Sequence, residues 1–138
     1  MSKVAVIFWS GTGNTEAMAN AVVQGAKDAG AEVDLLTCAD VNGIDSYDAV
    51  ALGCPAMGSE ELEDGEFLPM LETIEPSLAG KKVVLFGSYD WGVGEWLENW
   101  EARCAEKGIT LAAESVKANN APDDEALDAC KKLGAAIS

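Results

Sequence analysis

The chain has 138 residues, of which 49% are hydrophobic, and this is enough for one domain, residues 1–138, with a single core. Its 24 acidic and 9 basic residues give a net charge of −15. A surface this acidic repels phosphate backbones and anionic lipids, so we expect neither nucleic-acid nor membrane binding. The sequence contains no histidine, which excludes histidine-dependent catalytic triads and histidine metal sites.

The amino terminus and the cysteines favour a cytoplasmic location. Only Met1, Ser2 and Lys3 precede the first apolar run, which is too short for a signal peptide. No apolar run approaches the roughly 20 residues of a transmembrane helix. None of the cysteines forms a Cys-x-x-Cys pair, so we expect reduced, mostly buried thiols at Cys38, Cys54, Cys104 and Cys130.

Short apolar runs alternate with longer helical patterns along the chain. The continuous apolar run 4–9 predicts a first strand that is buried on both faces. Asn14 is expected to cap the helix that follows, and Gly30 to end it. The remaining predicted elements are strands at 32–37 and 49–52, a helix at 67–74, a strand at 82–86, a helix at 94–107, a strand at 109–117 and a helix at 123–136.

This alternation predicts an α/β fold, with an open doubly wound sheet of five parallel strands and helices on both faces. In such sheets a ligand binds beyond the carboxyl ends of the strands. Three unusual loops follow strands at that edge, at residues 10–15, 54–66 and 87–95. Because the loops converge there, this edge is the candidate site.

The first of these loops has the composition of an anion site. Its glycines let the backbone approach a ligand, and the free amides at the helix start face that ligand. Hydroxyl and amide side chains add donors, and the loop reads Ser10, Gly11, Thr12, Gly13, Asn14 and Thr15. No lysine lies between Lys3 and Lys27, which excludes a P-loop, and Glu16 stands where a dinucleotide fingerprint needs a third glycine. A purely structural glycine turn remains the alternative.

The other two loops carry side chains suited to a flat aromatic ligand. Met57 offers a polarisable thioether to an aromatic face, and the Glu60 carboxylate can accept a hydrogen bond from a ring N–H. Trp91 lies in a glycine-rich loop after the fourth strand. The alternatives are that Met57 is a core residue and Trp91 a surface-packed aromatic. Trp96 and Trp100 are spaced i, i+4 on a helix, so we expect them mainly to pack.

An acidic run lies in the second loop. It lacks the alternating oxygen ligands and the spaced glycine of an EF-hand loop, which argues against a calcium site. We expect a solvated acidic rim, part of which faces a partner protein, formed by Glu60, Glu61, Glu63, Asp64 and Glu66.

Together the three loops resemble those of flavodoxins, specifically the short-chain flavodoxins of anaerobic bacteria. Residues 9–15, 53–60 and 87–92 match in order and at the family's spacing, and the likeness covers essentially the whole chain. The resemblance implies a five-stranded sheet of order 2-1-3-4-5 and non-covalently bound flavin mononucleotide (FMN). It implies that FMN is bound by Trp9, Ser10, Gly11, Thr12, Gly13, Asn14, Thr15, Pro55, Ala56, Met57, Gly58, Ser59, Glu60, Ser88, Tyr89, Asp90, Trp91 and Gly92.

The resemblance also implies a role for each part of the site. The phosphate is bound by Ser10, Thr12, Gly13, Asn14 and Thr15. Met57 and Trp91 flank the two faces of the isoalloxazine ring. Glu60 accepts from the flavin N3–H. After the first electron has been taken up, the Gly58 carbonyl accepts from the new N5–H.

These roles imply a low-potential one-electron carrier without substrate turnover of its own. Such a carrier cycles between semiquinone and hydroquinone, often in place of a ferredoxin. We expect a monomer whose acidic surface meets basic docking patches on redox partner proteins.

One position departs from the family pattern. The relatives carry glycine where this chain has Asp90, beside Trp91. If the position has positive φ, aspartate is strained there. If its carboxylate faces the flavin N1, it disfavours the anionic hydroquinone.

Three other functions fit the residues less well. A signalling receiver domain needs an aspartate at the end of the third strand, where Gly53 and Cys54 stand. A flavin-dependent reductase needs a second cofactor pocket, for which the short chain has no extra segment. A cysteine phosphatase needs an arginine six positions after its cysteine, and none of the cysteines has one.

Overall fold

Strands and helices alternate along the chain in the computed structural model, which describes residues 2–57, 60–90 and 92–138. Short 3₁₀ turns follow two of the elements, at Cys38–Asp40 and Glu75–Ser77. The elements in chain order are β1 (Lys3–Phe8), α1 (Asn14–Asp28), β2 (Glu32–Thr37), β3 (Ala49–Gly53), α2 (Phe67–Ile74), β4 (Lys82–Tyr89), α3 (Glu95–Glu106), β5 (Val116–Asn119) and α4 (Asp124–Ala136).

The strands form one parallel sheet in the order β2-β1-β3-β4-β5, which confirms the predicted fold class and strand order. Helices α2 and α3 pack on one face and α1 and α4 on the other, so the sheet separates two apolar cores. The central strands β1, β3 and β4 are almost wholly buried, as expected of continuous apolar runs covered on both faces. Among the described helices, none has the length and apolar composition that crossing a membrane requires.

The fifth strand differs from its prediction. A strand was expected at 109–117, but β5 pairs with β4 only from Val116 to Asn119, and Leu111 makes one isolated bridge to Val83. The sequence between them, 112–115, reads Ala-Ala-Glu-Ser and has weak strand propensity. Consequently β5 lies entirely at the carboxyl edge of the sheet, because Val116 is level with Phe86, the partner of Gly53.

Helices α1 and α4 approach each other closely at two glycines. A Cβ atom added to Gly25 would collide with the Lys131 carbonyl oxygen, and one added to Gly134 with the Val22 carbonyl oxygen. The two backbones therefore pack directly against each other. This contact fixes α1, and with it the loop before α1, relative to α4.

Replacing Gly134 with alanine tests this packing, because helix propensity and the backbone collision change the free energy of unfolding in opposite directions. Helix propensity alone favours alanine by about 1 kcal/mol. We expect the collision with the Val22 carbonyl to outweigh this and to lower the free energy of unfolding by about 2–3 kcal/mol, measured by urea denaturation. The substitution Ala105→Gly in α3 measures the contribution of helix propensity alone, because Ala105 is exposed. A Gly134→Ala protein as stable as the parent contradicts the backbone contact.

Candidate functional site

A cleft of about 200 Å³ opens at the carboxyl edge of the sheet. In open parallel sheets this edge is where ligands bind. All but the last of its lining residues were predicted: Trp9, Gly11, Thr12, Asn14, Pro55, Ala56, Met57, Ser88, Tyr89, Asp90 and Asn120. The three loops therefore meet in one place, as the parallel topology requires.

The first loop forms a tight turn around the start of α1. Gly13, with φ of 93°, is the residue that precedes the helix, and Asn14 is the first helical residue. The expectation that Asn14 caps the helix is therefore wrong. Instead, the Gly13 amide donates to Ser10 Oγ (3.0 Å) and the Asn14 amide donates to Thr12 Oγ1 (3.4 Å). No atom lies within 4 Å of a Cβ added at Gly13, so its positive φ, not space, requires glycine.

This turn fits a phosphate group without a basic side chain. The first amides of a helix lack acceptors within the helix and lie at its positive dipole end. Gly11 lets the loop pass close to the Trp9 ring, because an added Cβ would lie 3.1 Å from Trp9 Cη2. An aromatic wall thus adjoins an anion-binding helix start, and a phosphate joined to a flat ring system matches both.

A buried hydrogen bond links the first loop to β4. The hydroxyls of Thr15 and Ser88 lie 3.1 Å apart, and both residues are nearly inaccessible, at 1% and 4% exposure. Ser88 also lines the cleft, whereas Thr15 lies behind it. The bond fixes the first turn of α1 relative to the sheet. A direct contact from Thr15 to a phosphate stays a prediction.

The second loop is closed at its base by paired backbone hydrogen bonds. The Met57 amide donates to the Glu61 carbonyl (2.8 Å), and the Glu61 amide donates back to Met57 (3.0 Å). The Met57 side chain is 37% exposed and lines the cleft, so it is not the core residue of the alternative interpretation. Gly58 and Ser59, two predicted site residues, lie outside the described residues.

Glu60 connects the second loop to the third. Its Oε1 accepts from the amides of Gly94 (2.9 Å) and Glu95 (2.8 Å), at the start of α3. Glu60 itself has φ of 56°. The carboxylate thus satisfies helix amides and lies against Gly92, where an added Cβ would be 2.6 Å from the carboxyl carbon. Acceptance from a flavin N3–H stays a prediction.

The third loop continues from β4, which runs further than predicted and includes Ser88 and Tyr89. Tyr89 packs against Trp96, with ring centroids 5.6 Å apart. Asp90 is exposed at the cleft, and the described non-glycine residues with positive φ are Glu60 and Asn120, so the strain considered for Asp90 is not found. Trp91, predicted to flank the ring, lies outside the described residues.

The two tryptophans of α3 pack, as predicted. Trp96 and Trp100 are buried at 1% and 2% exposure. Trp96 Nε1 donates to the Cys54 carbonyl (3.1 Å), and the Trp100 ring meets Phe67 edge-on at 5.4 Å. These contacts fix α3, and therefore the third loop, against β3 and α2.

Asn120 lines the cleft although it was not predicted. It follows β5, has φ of 59°, and its amide donates to the Tyr89 carbonyl (2.7 Å). The sequence signal was the run Asn119-Asn120-Ala121-Pro122, because asparagine tolerates a left-handed turn before proline. The misplaced fifth strand hid this signal.

The acidic rim is only partly a solvated surface. Glu63 Oε1 accepts from the amides of Glu66 (2.8 Å) and Phe67 (2.7 Å), and its Oε2 from that of Gly65 (2.8 Å). Desolvation raises the pKa of Glu63, but these hydrogen bonds outweigh it, so the pKa is lowered. Glu63 therefore caps α2, as Glu60 caps α3. Among the residues at 2–57, 60–90 and 92–138, no acidic or cysteine cluster is arranged to hold a metal.

The cysteines are free thiols, as predicted. Burial raises the pKa of Cys54 and of Cys130 to about 12 and that of Cys104 to about 11, so these groups stay protonated near neutral pH. Cys38, which is half-buried, also has its pKa raised to about 11, first by desolvation and then by nearby Glu66 and Glu63. None of the four is poised as a nucleophile.

Removing the charge of Glu63 should destabilise the protein in a pH-dependent way. We expect Glu63→Gln to lower the free energy of unfolding by about 1–2 kcal/mol at pH 7, because it weakens a three-bond helix cap. Since the folded pKa is lowered, this stabilisation is present above the unfolded pKa and is lost as pH falls through the folded pKa. Urea denaturation at pH 7 and near pH 3 measures the difference.

Asp64→Asn is the matched control, since it neutralises an exposed carboxylate on the same segment. It should change stability by less than about 0.5 kcal/mol. Equal effects of the two substitutions, or a Glu63→Gln effect that is independent of pH, contradict the capping role.

Known proteins share the fold of this chain and much of its sequence. The flavodoxin family model matches residues 6–134. The flavodoxin of Megasphaera elsdenii is 48% identical over 137 residues, which are 98% of each chain, and that of Clostridium beijerinckii is 41% identical over 136 residues, 96% of this chain and 97% of the other. The solution structure of two-electron reduced Megasphaera elsdenii flavodoxin superposes with a TM-score of 0.87, at 47% identity and covering 97% of both chains. The chain therefore belongs to the flavodoxin family, the FMN-binding electron carriers.

Proposed function

We propose that this protein is a low-potential one-electron carrier whose FMN cycles between semiquinone and hydroquinone, and that it substitutes for ferredoxin. The observation that carries the proposal is the cleft at the carboxyl edge of the sheet. There a helix start without basic side chains adjoins walls made by Trp9, Met57 and Tyr89. FMN supplies the one-electron chemistry, and the chain supplies binding, orientation and electrostatics.

The phosphate end of the site is the loop before α1. We assign the phosphate to five residues of this loop, which are Ser10, Thr12, Gly13, Asn14 and Thr15. The hydrogen bonds from Gly13 to Ser10 and from Asn14 to Thr12 support this assignment, because they hold both hydroxyls at the helix start. No lysine or arginine lies in this loop, so the charge of the phosphate is balanced by dipoles alone.

The ring end of the site is formed by the second and third loops. We assign Met57 and Trp91 to the two faces of the ring, Glu60 to N3–H, and the Gly58 carbonyl to N5–H in the one-electron reduced state. The exposed Met57 at the cleft and the hairpin bonds between Met57 and Glu61 support a loop fixed at its base. The remaining predicted contacts are made by Gly11, Pro55, Ala56, Ser59, Ser88, Tyr89, Asp90 and Gly92.

A low potential follows from the charge of the protein. The second electron makes the flavin an anion, and a net charge of −15 opposes it. One exposed carboxylate about 10 Å away contributes only about 0.4 kcal/mol before screening, which is roughly 20 mV for one electron. Remote acids therefore tune the potential modestly, and groups that touch the ring dominate.

We further propose that residues 1–138 form a single domain that acts as a cytoplasmic monomer and docks with basic patches on its redox partners. The exposed acids of the second and third loops, among them Glu61, Asp64 and Asp90, complement such patches and speed their encounter. No substrate turnover is proposed, because the described thiols have raised pKa values and no histidine is present.

Stepwise anaerobic reduction of the FMN-loaded protein tests the function. We expect a yellow protein that turns blue, as the neutral semiquinone forms, and then pale. In a binding titration, Thr12→Val should lower the affinity for FMN about tenfold or more, because one charge-assisted hydrogen bond is lost. The affinity for riboflavin, which lacks the phosphate, should not change. Failure to take up FMN refutes the proposal, and direct reduction without a blue stage refutes the semiquinone cycle.

Asp90 should lower the midpoint potential of the semiquinone/hydroquinone couple. We expect Asp90→Gly to raise the semiquinone/hydroquinone midpoint, because it removes a carboxylate at the cleft. Asp90→Asn, which keeps the side-chain shape, separates charge from backbone freedom. Equal midpoints for parent and both variants in a redox titration contradict this role.

A further inference from the structure

Lysine and arginine are unevenly placed relative to the sheet. Lys3, Lys81 and Lys82 lie at the amino ends of strands. Helices in this topology run antiparallel to the strands, so their carboxyl-terminal halves lie toward the same amino edge. Five further basic residues lie in those halves or just after them, namely Lys27, Arg103, Lys107, Lys131 and Lys132. The structure describes all 9 basic residues, and Lys117 is the one that lies at the carboxyl edge.

The register of β5 decides this position. Lys117 pairs with Gly87, one residue beyond Phe86. Phe86 is level with Gly53, which is level with Phe8 at the end of β1. Lys117 is therefore beyond the carboxyl ends of β1 and β3, at the edge where the cleft opens.

The Lys117 side chain lies against the third loop. Its Nζ lies 3.4 Å from the Val93 carbonyl oxygen, to which it donates, and 6.0 Å from the centre of the Tyr89 ring. A Cβ added to Gly94 would lie 2.8 Å from the same Nζ. Tyr89 lines the cleft, so the ammonium group lies behind a wall of the site.

The segment 92–95 is consequently held from two sides by opposite charges. Glu60 binds the amides of Gly94 and Glu95, and Lys117 binds the carbonyl of Val93. Val93 is 70% exposed, so little apolar packing holds this segment in place. The hydrogen bonds therefore carry most of its positioning.

We propose that Lys117 is a positioning residue of the flavin site, which holds segment 92–95 by the Val93 carbonyl and supplies the positive charge that favours the second electron. This inference rests on the proposed function. In that step a redox partner gives one electron to the neutral semiquinone, no proton is taken up, and the flavin becomes an anion. A cation at the carboxyl edge favours that anion.

Carboxylates lie around Lys117 on two sides. Glu98, Glu101 and Glu114 line one surface pocket that it borders, and Asp123 and Glu125 line the other. Within the described residues one ion pair is closer than 4 Å, and it joins Arg103 to Glu75. None of these carboxylates therefore forms an ion pair with Lys117. Because Lys117 is exposed, water and salt weaken its field, and we expect a change of about two- to threefold in the semiquinone/hydroquinone equilibrium.

Redox titration of Lys117→Met, Lys117→Arg and Lys27→Met in the FMN-loaded protein tests the inference. Lys27→Met is the matched control, because it removes the same charge from an exposed site about 20 Å along α1 from its start. We expect Lys117→Met to disfavour the hydroquinone two- to threefold more than Lys27→Met does, by an amount that shrinks in high salt. Lys117→Arg should retain the parent midpoint.

The flavin-free protein gives an independent measurement of the holding role. Amide hydrogen exchange at Val93 and Gly94 should be faster in Lys117→Met than in the parent and in Lys27→Met. Equal midpoints for the two methionine variants overturn the charge role, as do equal losses in Lys117→Met and Lys117→Arg. Unchanged exchange overturns the positioning role. In each of these cases the parent still forms a blue semiquinone, whereas its absence from the parent means that the proposed function itself has failed.

Discussion

The parallel ladder places Phe8 and Gly53, the last residues of β1 and β3, level with Phe86 of β4. Beyond that level β1 and β3 leave the ladder, β4 and β5 pair for three more residues, and each strand end is followed by a loop at the same edge. The cleft exists because these departures coincide. The pairing of the strands therefore fixes the position of the cleft. The loops that surround the cleft can differ in sequence without disturbing the core.

Carboxylates have two functions at this edge. Glu63 and Glu60 satisfy the amide groups at the starts of α2 and α3, so part of the negative charge is structural. The same charge lies at the edge where the cleft opens, and under the proposed function it opposes the addition of an electron to the flavin. A substitution at Glu60 that tests this opposition therefore also removes the acceptor of the amides at the start of α3.

The first loop and α3 depend on packing at a distance. Gly25 and Gly134 let α1 and α4 meet backbone to backbone, and the Thr15–Ser88 bond fixes the first turn of α1 to β4. On the opposite face of the sheet, Trp96 ties α3 to the Cys54 carbonyl at the end of β3. Each loop of the site is therefore anchored by an element of the core.

The sequence by itself determined the alternation of strands and helices, the edge at which the candidate site lies and the loops that meet there. These follow from local patterns: apolar runs, glycine turns and donors next to a helix start. Only the tertiary structure decided where β5 pairs, that Glu60 caps a helix 34 residues away, and that Asn120 and Lys117 lie at the cleft and its rear wall. Such contacts join residues far apart in the chain, and no local pattern records which partner a carboxylate or an ammonium group will meet.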